Sequence, residues 1–252
     1  MKRPLILISN DDGIHAKGIN VLAQAVRKFG DIVVVAPDSA MSGMSSALTS
    51  HAPLRAVLVS EEEGYKSYAC SGTPADCVKL ALNQLLDRNP DYVLSGINHG
   101  ANTSVSVIYS GTVGAALEGC VHGIPSIAFS LCDHEEEADF SQSLLWVERI
   151  FAQVMQNNLP KYTCLNVNFP KGNIQGLEVC QQAVGKWENE MERRIDPHGG
   201  DYYWLTGEFK DLDPGSKGSD LYAIGRQYAS VVPVKIDMTD YDFYNKLRSW
   251  DF

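Results

Sequence analysis

Asp11 and Asp12 stand side by side in the stretch LILISNDDGIHAKG, residues 5–18, where an apolar run leads straight into Ser9-Asn10-Asp11-Asp12-Gly13. Adjacent carboxylates at the end of a buried strand repel each other and are costly to desolvate. A divalent cation would offset that cost. Carboxylates with amide and hydroxyl oxygens make a hard ligand set suited to Mg2+, Mn2+ or Ca2+. Ordinary turn and cap chemistry is the competing reading, because Asp-Asp-Gly also serves turns and Asp12 could cap the next helix.

Further oxygen donors follow two other apolar runs. APDSAMSG, residues 36–43, offers the hydroxyls of Ser39 and Ser42, with Ser45 just beyond, and SGINHGANTS, residues 95–104, offers Asn98. No Cys or His in these loops has zinc-ligand spacing, although His99 follows Asn98. A fourth segment, VIYSGTVGAALEG, residues 107–119, places Ser110-Gly111-Thr112 before a helix of small residues. Free amides and the helix dipole make such a start an anion site, while a plain Ser or Thr N-cap is the simpler alternative. A metal beside an anion-binding helix start suits phosphoryl transfer to water. The chain lacks both GxxxxGK[ST] and GxGxxG, which argues against nucleoside triphosphate or dinucleotide binding.

The elements that must position these residues are legible. Short, β-branched, unalternating runs at 5–9, 31–37, 91–96, 125–130 and 164–170 predict strands buried on both faces, hence a parallel sheet. Helical patterns lie between them. Residues 18–30 carry Ile19, Leu22, Ala23, Val26 and Phe29 on one face, and TPADCVKLALNQLLD opens with Thr73 as N-cap and Pro74 at the first helical position. SGTVGAALEGCVHG and SQSLLWVERIFAQVMQNN supply two more helices. This alternation predicts an α/β fold with a Rossmann-like, doubly wound, mostly parallel sheet. In such sheets ligands sit beyond the carboxyl ends of the strands, so all three polar loops reach one crevice. Residues 44–69 read as extra strands with an acidic turn. After 185 the chain turns irregular and aromatic, predicting a hairpin excursion, a returning strand and a short terminal helix. The expected division is a catalytic core over 1–185 and a hairpin and arm over 186–252, the latter suited to subunit contact.

At 252 residues with 44% hydrophobic content, the chain has ample material for a core. Its formal charge of -10 argues against a nucleic acid polymer as partner, whose phosphates need Lys and Arg. The six cysteines form no CxxC, the basic start has too short an apolar run for a secretory signal, and no stretch is long enough to span a membrane. A cytoplasmic protein with reduced thiols and no membrane partner is the expectation.

Taken in order, LISNDDGIHAKGI, VVVAPDSAMSG, CSGTPADCVKLAL, DYVLSGINHGAN, VIYSGTVGAALEG and DPHGGDYYWLTG resemble the survival protein SurE family of 5′/3′-nucleotidases over nearly the whole chain. SNDDG, SGxN and YSGTVxAAxEG together are highly specific. The resemblance implies a metal-dependent phosphomonoesterase that hydrolyses nucleoside 5′- and 3′-monophosphates through metal-activated water, with short polyphosphate as a further substrate of some members. It implies one divalent cation per subunit, Mn2+ or Mg2+, held by Asp11, Asp12, Ser42 and Asn98. Asn10 would flank the metal and phosphate, and Ser110, Gly111 and Thr112 would hold the phosphoryl group. Gly43 would let the backbone approach closely, and Asp11, Asp12 and Asn98 would carry the catalysis. A swapped C-terminal arm, in a homodimer or homotetramer, is implied as well. The alternative is a metal-dependent nucleotide-binding module without turnover.

Some positions depart from the family pattern. Ser104 and Ser106 stand where Gly and Asp are expected, His198 stands for the usual Arg, and the late His is replaced by a segment offering Asp237, Asp240 and Tyr241. His51 and His134 read as surface-loop residues. Trp187, Tyr202, Tyr203 and Trp204 read as packing or interface residues in preference to base stacking.

Overall fold

The computed structural model describes residues 3–135 and 137–251; Met1, Lys2, Glu136 and Phe252 lie outside the described residues. The first buried runs form β1 (Leu5–Ser9) and β2 (Asp31–Pro37), joined by α1 (Lys17–Val26). A hairpin of β3 (Ala56–Glu62) and β4 (Tyr65–Cys70) follows, then α2 (Pro74–Leu80). Thr73 and Asp76 close a reciprocal capping box on α2, with Pro74 at its start. β5 (Tyr92–His99), α3 (Gly111–Val121), β6 (Ser126–Leu131), α4 (Ser141–Asn157) and β7 (Thr163–Phe169) complete the alternating part.

The sheet has nine strands in the order β3-β4-β2-β1-β5-β6-β7, then two that come later in the chain, β13 (Tyr228–Lys235) and β8 (Gly176–Val179). All pairings are parallel except β3 with β4 and β7 with β13. Alternate side chains feed opposite layers. Ile6 and Ile8 of β1 pack with Ile19, Leu22 and Val26 of α1 and with Val147 and Phe151 of α4. Leu7 points the other way, to Cys77 and Val78 of α2 and Ala115 of α3. The central strands such as β1, β2 and β6 are thus covered on both faces, which is why their sequences do not alternate.

Past β8 the chain leaves the sheet. β9 (Gly185–Glu188) pairs with β12 (Glu208–Asp211), and β10 (Met191–Ile195) pairs with β11 (Asp201–Leu205), making a long antiparallel arm. The expected boundary between 185 and 186 falls at the start of this arm. The segment 186–252 nevertheless returns to the core, because α5 (Asp220–Gly225) leads into β13, which inserts between β7 and β8. A short terminal helix, α6 (Tyr241–Leu247), buries none of its residues. No helix among the described residues is long and apolar enough to cross a membrane.

Candidate active site

β1 is the strand where the winding reverses. The chain passes from β1 to β2 on one side and later returns to the opposite side with β5, so the carboxyl ends of β1 and β5 diverge around a crevice. Ser9 and Ser95 are partners in the β1–β5 ladder; the first polar loop starts directly after Ser9, and β5 runs on to His99 before the second. β5 carries a bulge: Ser95 pairs with Ala128 but Asn98 pairs with Ser130, so one extra residue is accommodated and Asn98 is re-aimed. Gly96 makes this possible. Its φ is +115°, and a Cβ there would lie 2.1 Å from the Phe129 carbonyl oxygen.

Asp11 is buried, only 4% exposed, and faces the crevice. The Thr112 hydroxyl donates a hydrogen bond to Asp11 Oδ1, and the Thr112 backbone amide also stabilises the carboxylate. Burial still dominates. Desolvation lifts the Asp11 pKa to about 6, against the Thr112 hydrogen bonds that lower it, and the neighbouring Asp12 charge adds to the rise. Asp12 is half-buried, accepts a hydrogen bond from His99 N at 3.2 Å, and is likewise pushed up by desolvation.

The other expected residues divide into those that face the cavity and those that support it. A cavity of about 570 Å³ is lined by Asp11, Ser42, Gly43, Asn98 and Ser110 among others. Asn98 donates Nδ2 to the Gly100 carbonyl at 2.9 Å, which turns its Oδ1 to the other side. Ser110 caps α3 by accepting from Val113 N at 3.0 Å. Asn10 is fully buried and closes a turn with Gly13 through both ends of its amide, so it shapes the loop that carries the aspartates. Gly111 lies against Asp11, where a Cβ would come within 2.8 Å of Asp11 Cβ. The start of α3 therefore serves Asp11 through Thr112 and faces the cavity through Ser110. Ser45 is used differently: its hydroxyl donates to the Ile108 carbonyl at 2.7 Å, tying the 36–45 loop to the segment before α3.

Among the described residues no group of three His, Cys, Asp or Glu side chains could hold a metal ion. A cation here would have two carboxylates, Asp11 and Asp12, completed by the neutral oxygens of Asn98 and Ser42. That donor set fits Mg2+ or Mn2+, which keep several waters and rarely receive an all-protein cage. The buried, charge-repelled Asp11 is what such a cation would neutralise.

Part of the wall carries no local signal in the sequence. His134 lines the cavity with its ring packed over Gly100, and Trp187, Glu190, Leu205 and Thr206 of the arm close the far side. Only tertiary topology brings the arm there. None of the described lining residues is Lys or Arg. Two of the departures from the family pattern have local explanations. Ser104 sits at φ +51°, a conformation that favours Gly, and its hydroxyl donates to the Ala183 carbonyl at 2.9 Å in compensation. His198 lies in the exposed turn at the arm tip, where its amide donates to Asp196 at 2.7 Å, away from the cavity lining.

A family model described as "Survival protein SurE" matches residues 6–189. A protein named 5′-nucleotidase SurE from Phocaeicola vulgatus is 50% identical over 251 residues, covering 99% of this chain and 98% of that one. Another of that name from Bacteroides fragilis is 50% identical over 254 residues, covering 99% and 98%. The crystal structure of the SurE protein from Aquifex aeolicus superposes with a TM-score of 0.82 at 36% identity, covering 97% of this chain and 98% of that one. The crevice at the β1–β5 reversal, the paired aspartates and these matches lead to one conclusion: the chain belongs to the survival protein SurE family.

Proposed function

We propose that the chain is a metal-dependent phosphomonoesterase, a 5′-nucleotidase, that hydrolyses nucleoside 5′-monophosphates, and 3′-monophosphates, to nucleoside and phosphate. The observation that carries this reading is the buried Asp11 carboxylate, held by Thr112 and lining a cavity of about 570 Å³, a size typical of small-molecule sites. Asp11 and Asp12, with Asn98 and Ser42, would hold one divalent cation, Mn2+ or Mg2+. That cation supplies Lewis-acid polarisation of the phosphoryl group and acidifies water. The chain's own residues do the rest. Ser110 and the Gly111 amide bind phosphoryl oxygens at the positive end of α3. Thr112 keeps Asp11 oriented and favours its ionised form. Asn98, fixed by Gly100, presents an oxygen in place.

The same reading extends to assembly and place of action. The arm exposes Tyr203 at 59% and Trp204 at 56%, which supports a homodimer or homotetramer built through it. The free thiols of all six cysteines support a cytoplasmic enzyme.

The test is phosphate release from nucleoside 5′- and 3′-monophosphates and from polyphosphate, with Mn2+, Mg2+ or EDTA. Release that requires the metal and disappears in Asp11→Asn is the expected outcome. Nucleotide binding by folded protein without release under any metal would replace the enzyme by a binding module.

A further inference from the structure

The cavity has two unlike ends. One is polar and built by Asp11, Asn98 and Ser110, and the other is the arm wall of Trp187, Glu190, Leu205 and Thr206. Trp187 is braced. Its cross-strand partner in the β9–β12 ladder is Phe209, whose ring meets the indole edge-to-face at 5.7 Å and 77°. Gly207 packs close to the six-membered ring, where a Cβ would lie 3.4 Å from Cε3. Trp187 still keeps 36% of its surface exposed, and it lines the cavity. An aromatic ring held in place and left open offers a flat π-surface with little conformational entropy left to lose on binding.

Charge narrows what that surface can take. No described lining residue is Lys or Arg, and Glu190 puts a carboxylate on the arm wall. A second phosphate would meet no cation there. A planar, uncharged group would meet indole and Leu205. On the phosphomonoesterase reading above, the phosphate sits at the Asp11 end and the rest of the substrate extends to the arm. We infer that Trp187 is a specificity-determining residue that stacks the nucleobase, so the arm makes the site prefer phosphomonoesters carrying a heteroaromatic base over bare sugar phosphates. Stacking on an aromatic side chain tolerates any base, because each has a π-face.

The experiment compares wild type, Trp187→Ala and Trp187→Phe on adenosine 5′-monophosphate and ribose 5-phosphate with saturating Mn2+. Trp187→Ala is expected to lower kcat/KM for the nucleotide roughly tenfold or more, the usual scale for losing a stacked base, and to leave ribose 5-phosphate within about twofold. Trp187→Phe should restore most of the nucleotide activity. Equal losses on both substrates, or no loss on either, would overturn the inference. A parallel titration with adenosine, which has no phosphate, reads Trp187 independently of turnover. Fluorescence quenching is expected in wild type and absent in Trp187→Phe, which retains Trp146, Trp204 and Trp250. Quenching that persists in that variant counts against the stacking role. If wild type quenches with adenosine but hydrolyses neither phosphate, the phosphatase reading fails while the base site stands.

Discussion

The Thr112 hydroxyl donates to Asp11 Oδ1 although 101 positions of sequence separate the two residues. The bond joins the carboxyl end of the first strand to the first turn of α3, and it opposes the rise in the Asp11 pKa that burial causes. Removing it should move that pKa further above about 6 and leave less carboxylate at neutral pH. Thr112→Val is therefore expected to weaken Mn2+ binding about tenfold at pH 7, the scale of a charge-assisted hydrogen bond. Thr112→Ser should preserve binding. Calorimetric titration at pH 7 and pH 8.5 checks this, because the deficit should narrow at the higher pH.

Asp11 also sets a pH dependence of stability in the metal-free protein. Its folded pKa, about 6, lies above the ordinary 3.8, so the folded state binds this proton more tightly than the unfolded state. The resulting stabilisation is full below about pH 4 and is lost as pH rises through 6, by roughly 3 kcal/mol in all. Asp11→Asn carries no such charge. Its melting temperature in chelator should match wild type near pH 4 and exceed it by several degrees at pH 7.5. Identical melting curves across that range would refute the assignment.

Gly111 separates packing from helix propensity. Alanine at a helix position is favoured over glycine by about 1 kcal/mol. A Cβ at Gly111 would, however, press within 2.8 Å of Asp11 Cβ and 3.0 Å of its Oδ2. Overpacking of this kind costs about 1–3 kcal/mol, so net stability should fall by about 0–2 kcal/mol. The displaced carboxylate should cost activity far more. Gly111→Ala is expected to lose about a hundredfold in kcat/KM, since misplacement by about 1 Å has that effect. Paired calorimetry and steady-state kinetics would separate the two effects.

Asp220 is the clamp behind the cavity. Its buried carboxylate accepts from Ser104 N at 2.9 Å, Ala183 N at 3.0 Å and Leu221 N at 2.8 Å, joining the loop after β5 to the root of the arm. Asp220→Ala leaves buried amides without an acceptor, at about 1–3 kcal/mol each. A fall in melting temperature and a raised KM are expected together, because the loop at Ser104 and the root of the arm at Ala183 both lose their anchor. An unchanged KM with lowered stability would confine Asp220 to folding.

The arm aromatics bear on assembly. Replacing Tyr203 and Trp204 by Glu puts a charge on each of the two exposed faces of the β10–β11 ladder. The mass measured by light scattering should drop towards that of a single chain, while the far-ultraviolet circular dichroism stays unchanged. A mass already equal to one chain in the wild type would remove the oligomer from the account.

The parts legible in the sequence are those fixed by local chemistry. Strand burial on both faces appears as unbroken runs such as IVVV, and the Thr73-Pro74 cap appears as two neighbouring residue types. Asp11, Asp12 and Asn98 were legible because adjacent carboxylates and a Gly-rich strand end are unusual where they occur. What was hidden depends on distance along the chain. Thr112 reads as a phosphate ligand until Asp11 is seen to occupy its hydroxyl. His134 and Trp187 read as surface or packing residues because nothing near them in sequence announces a cavity. Asn10 reads as a ligand, yet its amide is spent closing the turn with Gly13.

The position of β13 bears on how the protein is made. Among the described residues β8 pairs only with β13, and β7 has β13 as its outer neighbour, so neither edge is complete until Tyr228–Lys235 has been synthesised. A ribosome that stalls in the arm holds a chain whose aspartates and α3 already exist but whose sheet ends at an open β7. Open edges recruit strands from other chains. A message truncated before Tyr228 thus encodes an aggregation hazard in place of a shortened enzyme, and quality control of this protein turns on the synthesis of Tyr228–Lys235.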